Sequence, residues 1–424
     1  MDNNFSMHRS LRDRSFRCLL ATTSLTALGG MVGQTAMSWW ILQAGSTADL
    51  ATYSSFIAFA STVALPLLAP IGDRYPKRIL MSIGLALLCI ECLLLGITAQ
   101  SSEYKLSIVL VLGLLSVVAN AFVLPATDTI ASEILPPADL ARGLELLRAS
   151  MSIGRVAGPL VAGALLAMVN IHSGLWVSAG VMAVAFGAVL GVRNTVETCP
   201  STAQSWANAV KTGMLAKWRI PLERWLTGLS FASLLFILPG IGLLIPLKAV
   251  SDNLSPVWLG SFEAAFSAGF IFGSLRFSRW MVQRVGSFWA NWIAFGTVGG
   301  GFLAVGLVSV PALVAAILFL IGCAIVTIQL TGQSARILAT PSHFRARFAA
   351  SHLLFVQSAA TGGPAFAGML VAQFQVGGAY VVLGAALLGI CSALYFLPGY
   401  RDFVGRKPEE LSDYYFKRWP EAFD

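Results

Sequence analysis

Apolar and polar positions along this chain alternate in long blocks. Runs of about twenty apolar residues are separated by short polar breaks, and twelve such runs can be marked: 16–43, 49–71, 79–99, 106–127, 147–168, 174–192, 225–247, 257–275, 288–308, 311–334, 350–373 and 379–398. A helix crossing a hydrocarbon layer of about 30 Å needs about 20 apolar residues, so each run has the length of one crossing. Transmembrane barrels are built instead from alternating segments of about ten residues, and no such segments occur. The pattern therefore predicts an all-α membrane protein with twelve transmembrane helices.

Composition narrows this further. The chain is 56% hydrophobic and 11% charged, whereas soluble domains carry about 25% charged residues. That excludes a large soluble enzyme. Residues 1–15 are polar and basic, and the apolar run after them is too long for the core of a cleavable signal. They read as an N-terminal tail followed by the first span. With both termini inside, every Lys and Arg falls on inner segments except Lys105, Lys248, Arg148 and Arg155, as the positive-inside rule requires. The net charge of +8 then reports topology and contact with anionic lipid headgroups. The basic residues are scattered over short loops, so no nucleic-acid partner is expected. Cys89 and Cys92 have the spacing of a redox or metal pair, but they sit inside an apolar run without His or acidic partners. They read as small apolar filler, and no metal or cofactor is expected.

The longest polar interval, 193–224, divides the chain into six runs and six runs. Within it Trp206, Val210, Met214, Leu215 and Trp218 roughly follow helical spacing, which predicts an amphipathic helix with Lys211, Lys217 and Arg219 facing headgroups. The expected domains are an N-tail (1–15), a first bundle (16–192), a linker (193–224), a second bundle (225–398) and a C-tail (399–424). The halves also repeat. A slide of 205 residues lays 136–165 on 341–370 and aligns Pro136 with Pro341, Arg142 with Arg347, Gly158 with Gly363 and Pro159 with Pro364. A six-helix repeat read in one direction marks a transporter architecture whose substrate site lies near the midplane, between the halves.

The break "PIGDRYPKRIL" (70–80) holds Asp73, Arg74, Lys77 and Arg78. It resembles the loop between the second and third helices of the major facilitator superfamily, with Ala69 and Pro76 where that pattern has glycines. Residues 125–165, "PATDTIASEILPPADLARG" followed by "RVAGPLVAG", resemble the bacterial exporter branch that includes siderophore and macrolide efflux proteins. The resemblance implies two pseudo-symmetric six-helix bundles in the bacterial inner membrane, a small-molecule substrate and a monomeric chain. It also implies a gate in which the acid at Asp73 meets the opposite half. Arg74 and Arg78 belong to that gate, with Asp128 as a candidate partner for either. Topology and helix capping are the competing explanation of this cluster.

Each polar group within an apolar run needs a reason, since a charge at mid-membrane costs about 2.5–3.5 kcal/mol on insertion scales. Arg155 either lines the cavity or braces its helix. Gln34, Asn120, Gln329 and Gln333 are cavity candidates, against interhelical hydrogen bonding. Glu263 and Glu91 are candidate proton carriers. Gly154, Gly158, Pro159 and Gly163 resemble the exporter motif on the fifth helix. Gly363 and Pro364 repeat its Gly-Pro, so part of its meaning is helix packing. No nucleotide-binding Gly-rich loop and no nucleophile–base pair occurs, so an enzyme is not expected. The expected function is secondary export of a small amphipathic or anionic metabolite, a siderophore first, with proton antiport. Multidrug or macrolide efflux is the alternative, and nutrient import follows.

Overall fold

A computed structural model of the chain describes residues 13–101, 104–170, 172–193, 206–406 and 408–423. Helices are the regular elements of these residues, and no strand occurs among them. The helices are α1 (Arg14–Ala44), α2 (Thr47–Arg74), α3 (Lys77–Gln100), α4 (Leu106–Ile134), α5 (Pro137–Met168), α6 (Ser173–Val189), α7 (Trp206–Arg219), α8 (Pro221–Gly242) and α9 (Leu244–Ser251). They continue with α10 (Pro256–Phe272), α11 (Ser278–Val285), α12 (Ser287–Leu307), α13 (Pro311–Ile328), α14 (Ser334–Ala339) and α15 (Arg345–Phe396). Three short helices follow: α16 (Tyr400–Gly405), α17 (Pro408–Leu411) and α18 (Tyr414–Arg418). Among the described residues, eight stretches are long and apolar enough to cross a membrane: Arg14–Ala44, Lys77–Gln100, Leu106–Ala131, Arg142–Met168, Pro221–Gly242, Ser287–Leu307, Pro311–Ala339 and Ser342–Phe396.

Local chemistry sets several helix starts. The Ser46 hydroxyl accepts from the Asp49 backbone N–H at 3.1 Å, and the Asp49 carboxylate accepts from the Ser46 N–H at 2.9 Å. This reciprocal box satisfies two donors that a helix start would leave open. Asp13 caps α1 through the Ser15 N–H at 2.9 Å. Proline occupies the first turn of α5, α8 and α13, where its missing N–H costs nothing.

Five predicted runs differ from the helices. Residues 225–247 are interrupted at Leu243, and the Tyr380 hydroxyl donates to the nearby Gly240 carbonyl at 2.9 Å. The run at 257–275 does not end in a loop: α10 passes through a π turn, Gly273–Phe277, into α11. The run at 311–334 likewise passes through a second π turn, Gln329–Gln333, into α14. The last two runs meet within α15 at Gln375, whose φ of 60° and ψ of 178° are non-helical.

Contacts divide the chain into two units. The first comprises Met1–Thr202 with Asn253–Ala264, and the second Ala203–Asp252 with Ala265–Asp424. The core of the first is built from Phe16 and Leu19 of α1, Leu80 and Leu85 of α3, Ile130 of α4 and Ala185 of α6, all buried. In the second, Phe302 of α12 lies edge-on to Tyr380 of α15, with centroids 5.6 Å apart and both rings fully buried.

In the interval 193–224 the chain forms α7, and one expectation for it is corrected. Trp218 and Leu215 are exposed, Val210 and Ala216 are buried, and Lys211 is exposed. Lys217, however, does not face headgroups. It is 3% exposed, donates to the Phe348 carbonyl at 3.1 Å and lies 5.2 Å from the centre of that ring. The reason is close packing: α7 approaches α15 so tightly that a side chain at Gly213 would run into the Arg347 carbonyl. Residues 194–205 of this interval lie outside the described residues.

Candidate functional site

Three groups of buried polar side chains stand out among the described residues. In the first unit, α10 carries Glu263 and α1 carries Thr35. The buried Thr35 hydroxyl donates to a Glu263 carboxylate oxygen, its one hydrogen-bond partner among the described residues. Helix α5 shapes the surroundings. A Cβ at Gly163 would lie 2.8 Å from the Pro256 carbonyl and 3.2 Å from Gly260 Cα, one turn before Glu263, and one at Gly260 would meet the Pro159 carbonyl. Along the same helix, a Cβ at Gly154 would sit 2.7 Å from Leu28 N and Ser24 O, and one at Gly158 would be 3.0 Å from Leu28 O. Glycine therefore lets α5 and α1 touch backbone to backbone. In the second unit a Cβ at Gly363 would lie 3.0 Å from the Leu235 carbonyl and the Pro239 ring, and Pro364 is buried beside it.

The second group surrounds Glu91 of α3, which is buried. Ser116 of α4 and Tyr53 of α2 lie close to its carboxyl. Beside it Cys92 contacts the Ser178 hydroxyl at 3.3 Å, and that hydroxyl donates to the Gly29 carbonyl at 2.8 Å. No group of His, Cys, Asp and Glu among the described residues could hold a metal ion.

The third group, in the second unit, centres on an ion pair. Glu223, in the first turn of α8, is fully buried. Arg336 of α14 donates from Nε to both its oxygens at 3.0 and 3.1 Å, and from Nη2 again to Oε1. The guanidinium also donates to Thr227 at 3.0 Å and Ser230 at 3.1 Å, and the Tyr415 hydroxyl donates to Glu223 Oε2 at 2.8 Å. Burial, with the Glu223 carboxylate next, holds the Tyr415 phenol well above the usual tyrosine range. Burial, reinforced by Arg336 and opposed by Glu223, pushes the Lys217 ammonium down to about 8.

The remaining candidates are dispersed. Gln34, Asn120, Arg155, Gln329 and Gln333 are all exposed. The Asn120 amide donates to the Ser116 carbonyl of its own helix at 2.8 Å. Gln333 lies 3.3 Å from His352 Nε2. Arg155, midway along α5, has no hydrogen-bond or ion-pair partner among the described residues. Gln329 and Gln333 open and close the second π turn, a distortion that often accompanies functional sites.

Of the loop residues, Arg78 in the first turn of α3 donates to the Leu190 carbonyl at 2.7 Å, tying α3 to the end of α6. The side chains of Asp73, Arg74 and Asp128 lie outside the described residues. Their backbones place Asp73 and Arg74 in the last turn of α2 and Asp128 in α4, three residues after Pro125. Asp73 therefore stands at the end of a helix rather than at its start.

The family model described as Major Facilitator Superfamily matches residues 19–360. The chain belongs to this superfamily. It is accordingly a multi-pass integral membrane protein of a transporter family. Its sequence is similar to the "Multidrug efflux pump Tap" of Mycobacterium tuberculosis and of Mycobacterium bovis, 26% identical over 287 residues, or 64% of this chain and 67% of the relative. Its fold is similar to that of the nucleoside transporter NupG, with a TM-score of 0.75 at 14% identity, covering 92% of this chain and 99% of that one. It is also similar to a bacterial homologue of the iron transporter ferroportin in its inward-facing state, with a TM-score of 0.70 at 17% identity, covering 93% and 99%. At those identities the superfamily fold is what is shared.

Sequence reasoning misses the third group. Glu223 and Arg336 look like surface charges of polar breaks, 113 positions apart. One signal is available: Glu223 directly follows Pro221-Leu222 at a helix start, within a segment otherwise basic. Thr35, His352 and Asn291 carry none, because isolated polar residues in apolar runs do not reveal their partners.

Proposed function

We propose that this superfamily member is a secondary efflux transporter of small amphipathic, drug-like molecules, working by alternating access and driven by proton antiport. Similarity to a multidrug efflux pump over most of the chain is the observation that carries the reading. We take the chain as twelve spans in two bundles, 16–192 and 225–398, joined by 193–224. The tails 1–15 and 399–424 are cytoplasmic, the membrane is the bacterial inner membrane, and the chain works as a monomer among lipids. Substrate meets Gln34, Asn120, Arg155, Gln329 and Gln333. Asp73, Arg74, Arg78 and Asp128 form the gate on the cytoplasmic side.

Glu263 is the first choice of proton carrier and Glu91 the second. A carboxyl held by one hydroxyl in a region of low dielectric can be emptied and refilled without breaking an ion pair. One observation favours a second reading. Arg155 is exposed and has no partner among the described residues, and an anionic substrate such as a siderophore would supply its counter-charge.

Inside-out vesicles from a pump-deficient bacterial host separate the two. An acid interior should drive accumulation of ethidium, a lipophilic cation, and a protonophore should collapse it. Accumulation of a trihydroxamate siderophore but not of ethidium replaces the first reading by the second. Uptake of neither, with the protein present and folded, refutes export of both classes.

A further inference from the structure

The segment after α15 is short, aromatic and tightly held. Tyr400, Phe403, Tyr415 and Phe423 are all buried. Phe403 stacks on Tyr415 with centroids 5.5 Å apart, and Phe423 stacks on Phe348 of α15 at 6.2 Å. Apolar burial fixes this segment against the second unit, and its polar tips then converge on one rod, α13 with α14.

The Tyr400 hydroxyl donates to Asn291 Oδ1 of α12 at 3.0 Å, and the Asn291 amide donates to the Thr331 hydroxyl at 2.7 Å. Thr331 is the centre of the π turn Gln329–Gln333. Three residues beyond that turn stands Arg336, bound to Glu223, whose second oxygen takes the Tyr415 hydroxyl. The Asp413 backbone N–H reaches the Leu338 carbonyl at 3.3 Å. One tyrosine thus acts on the middle of the turn through Asn291, and the other on the helix immediately after it.

A π turn inserts one residue into a helix and is kept where its surroundings over-determine it. Here the buried Thr331 is gripped from one side, and exposed Gln329 and Gln333 flank it. The geometry points to a role for the tail that neither the family match nor the relatives assign: Tyr400 and Tyr415 are positioning residues that hold the π turn of α13 and so set the direction of Gln329 and Gln333 toward substrate. The last clause rests on the reading of those glutamines as cavity residues given above; the hold on the turn does not.

The experiment compares full-length wild type, Tyr400→Phe and Tyr415→Phe in lipid nanodiscs. Each substitution keeps the ring and removes one donor. Hydrogen exchange is followed by mass spectrometry on peptides spanning 327–339 and, as an internal reference, 147–168. Both variants should exchange faster in 327–339 and match wild type in 147–168. Unchanged exchange in 327–339 overturns the inference, and so does a rise spread evenly over both regions, which marks general loosening.

Ethidium transport in vesicles adds the functional arm. The apparent KM of each variant should rise about tenfold, the loss expected for a hydrogen bond to a buried charged or polar site, with the maximal rate within about twofold. A fall in maximal rate at unchanged KM marks fewer folded molecules and overturns the link to substrate. Wild type that moves no ethidium refutes the drug-export reading, and the exchange data alone then decide whether the tyrosines hold the turn.

Discussion

The two units treat a carboxyl among apolar helices in opposite ways. In the first, Glu263 rests on the Thr35 hydroxyl. In the second, Glu223 is enclosed by a forked guanidinium, a phenol and a threonine, five donated hydrogen bonds in all. A hydroxyl partner costs little to lose and does not dictate whether the acid is charged. An arginine partner does, because an ion taken out of water is stable only while its counter-ion stays in place. The first arrangement suits a group that must change state during a cycle, and the second suits a joint that must not. That contrast supports the choice of Glu263 over Glu223 as the carrier, although Glu223 is the more deeply buried acid.

The sharpest way to break the contrast is to remove one side of the joint. Glu223→Ala leaves Arg336 charged and unpaired at 12% side-chain exposure, and loss of one partner of a buried pair costs about 3–5 kcal/mol. The expected result is a large drop in melting temperature in detergent, or failure to accumulate in the membrane. Normal stability would make the pair dispensable and erase the difference between the units. Glu263→Gln should do the reverse. Folding and the melting temperature stay near wild type, while proton-driven accumulation of probe in vesicles falls by more than about tenfold, a loss on the scale of removing an essential acid–base group. An active Glu263→Gln shifts the role to Glu91.

A smaller effect tests the packing that carries Glu263. Gly154→Val puts a branched side chain against the backbone of α1, and overpacking of this kind costs about 1–3 kcal/mol. Gly180→Val is the control, since a Cβ at Gly180 meets nothing within 4 Å. Thermal unfolding of the two variants should separate them. The smallest effect comes from Lys217. Its folded value near 8 lies below the ordinary 10.5, so between those values the unfolded chain binds more protons than the folded one. Stability should therefore climb as pH rises from about 8 to about 10.5, and Lys217→Met should flatten that rise. Identical pH profiles for the two proteins would mean that the ammonium is not desolvated.

Much of the helical layout is legible in the sequence, because a helix that must satisfy its own backbone in lipid writes its length into a continuous apolar run. The boundaries near 16–43, 79–99 and 288–308 need little adjustment for that reason. Interior geometry is not legible in the same way. The π turns at Gly273–Phe277 and Gln329–Gln333 leave no mark in hydropathy, since the chain is helical on both sides of each turn. The break at Gln375 shows only as the gap between two runs. Charge alone sends Lys217 to the headgroups, whereas the missing side chain at Gly213 decides its burial. Partnerships are the least visible. Glu263 and Glu91 stand out as acids in apolar runs, but Thr35 and Ser116 do not. The Glu223–Arg336–Tyr415 joint draws on three distant segments, two of which carry what looks like surface charge.

The π turns have a consequence for anyone who labels this protein residue by residue. Each adds one position without adding a full turn, so the angular count slips by about 100° across it. A cysteine scan along Pro311–Ala339 should trace one sinusoid of reagent accessibility up to Ile328 and a second, out of phase, from Ser334 onward. A single helical wheel drawn over the whole stretch would mistake one wall of the helix for another.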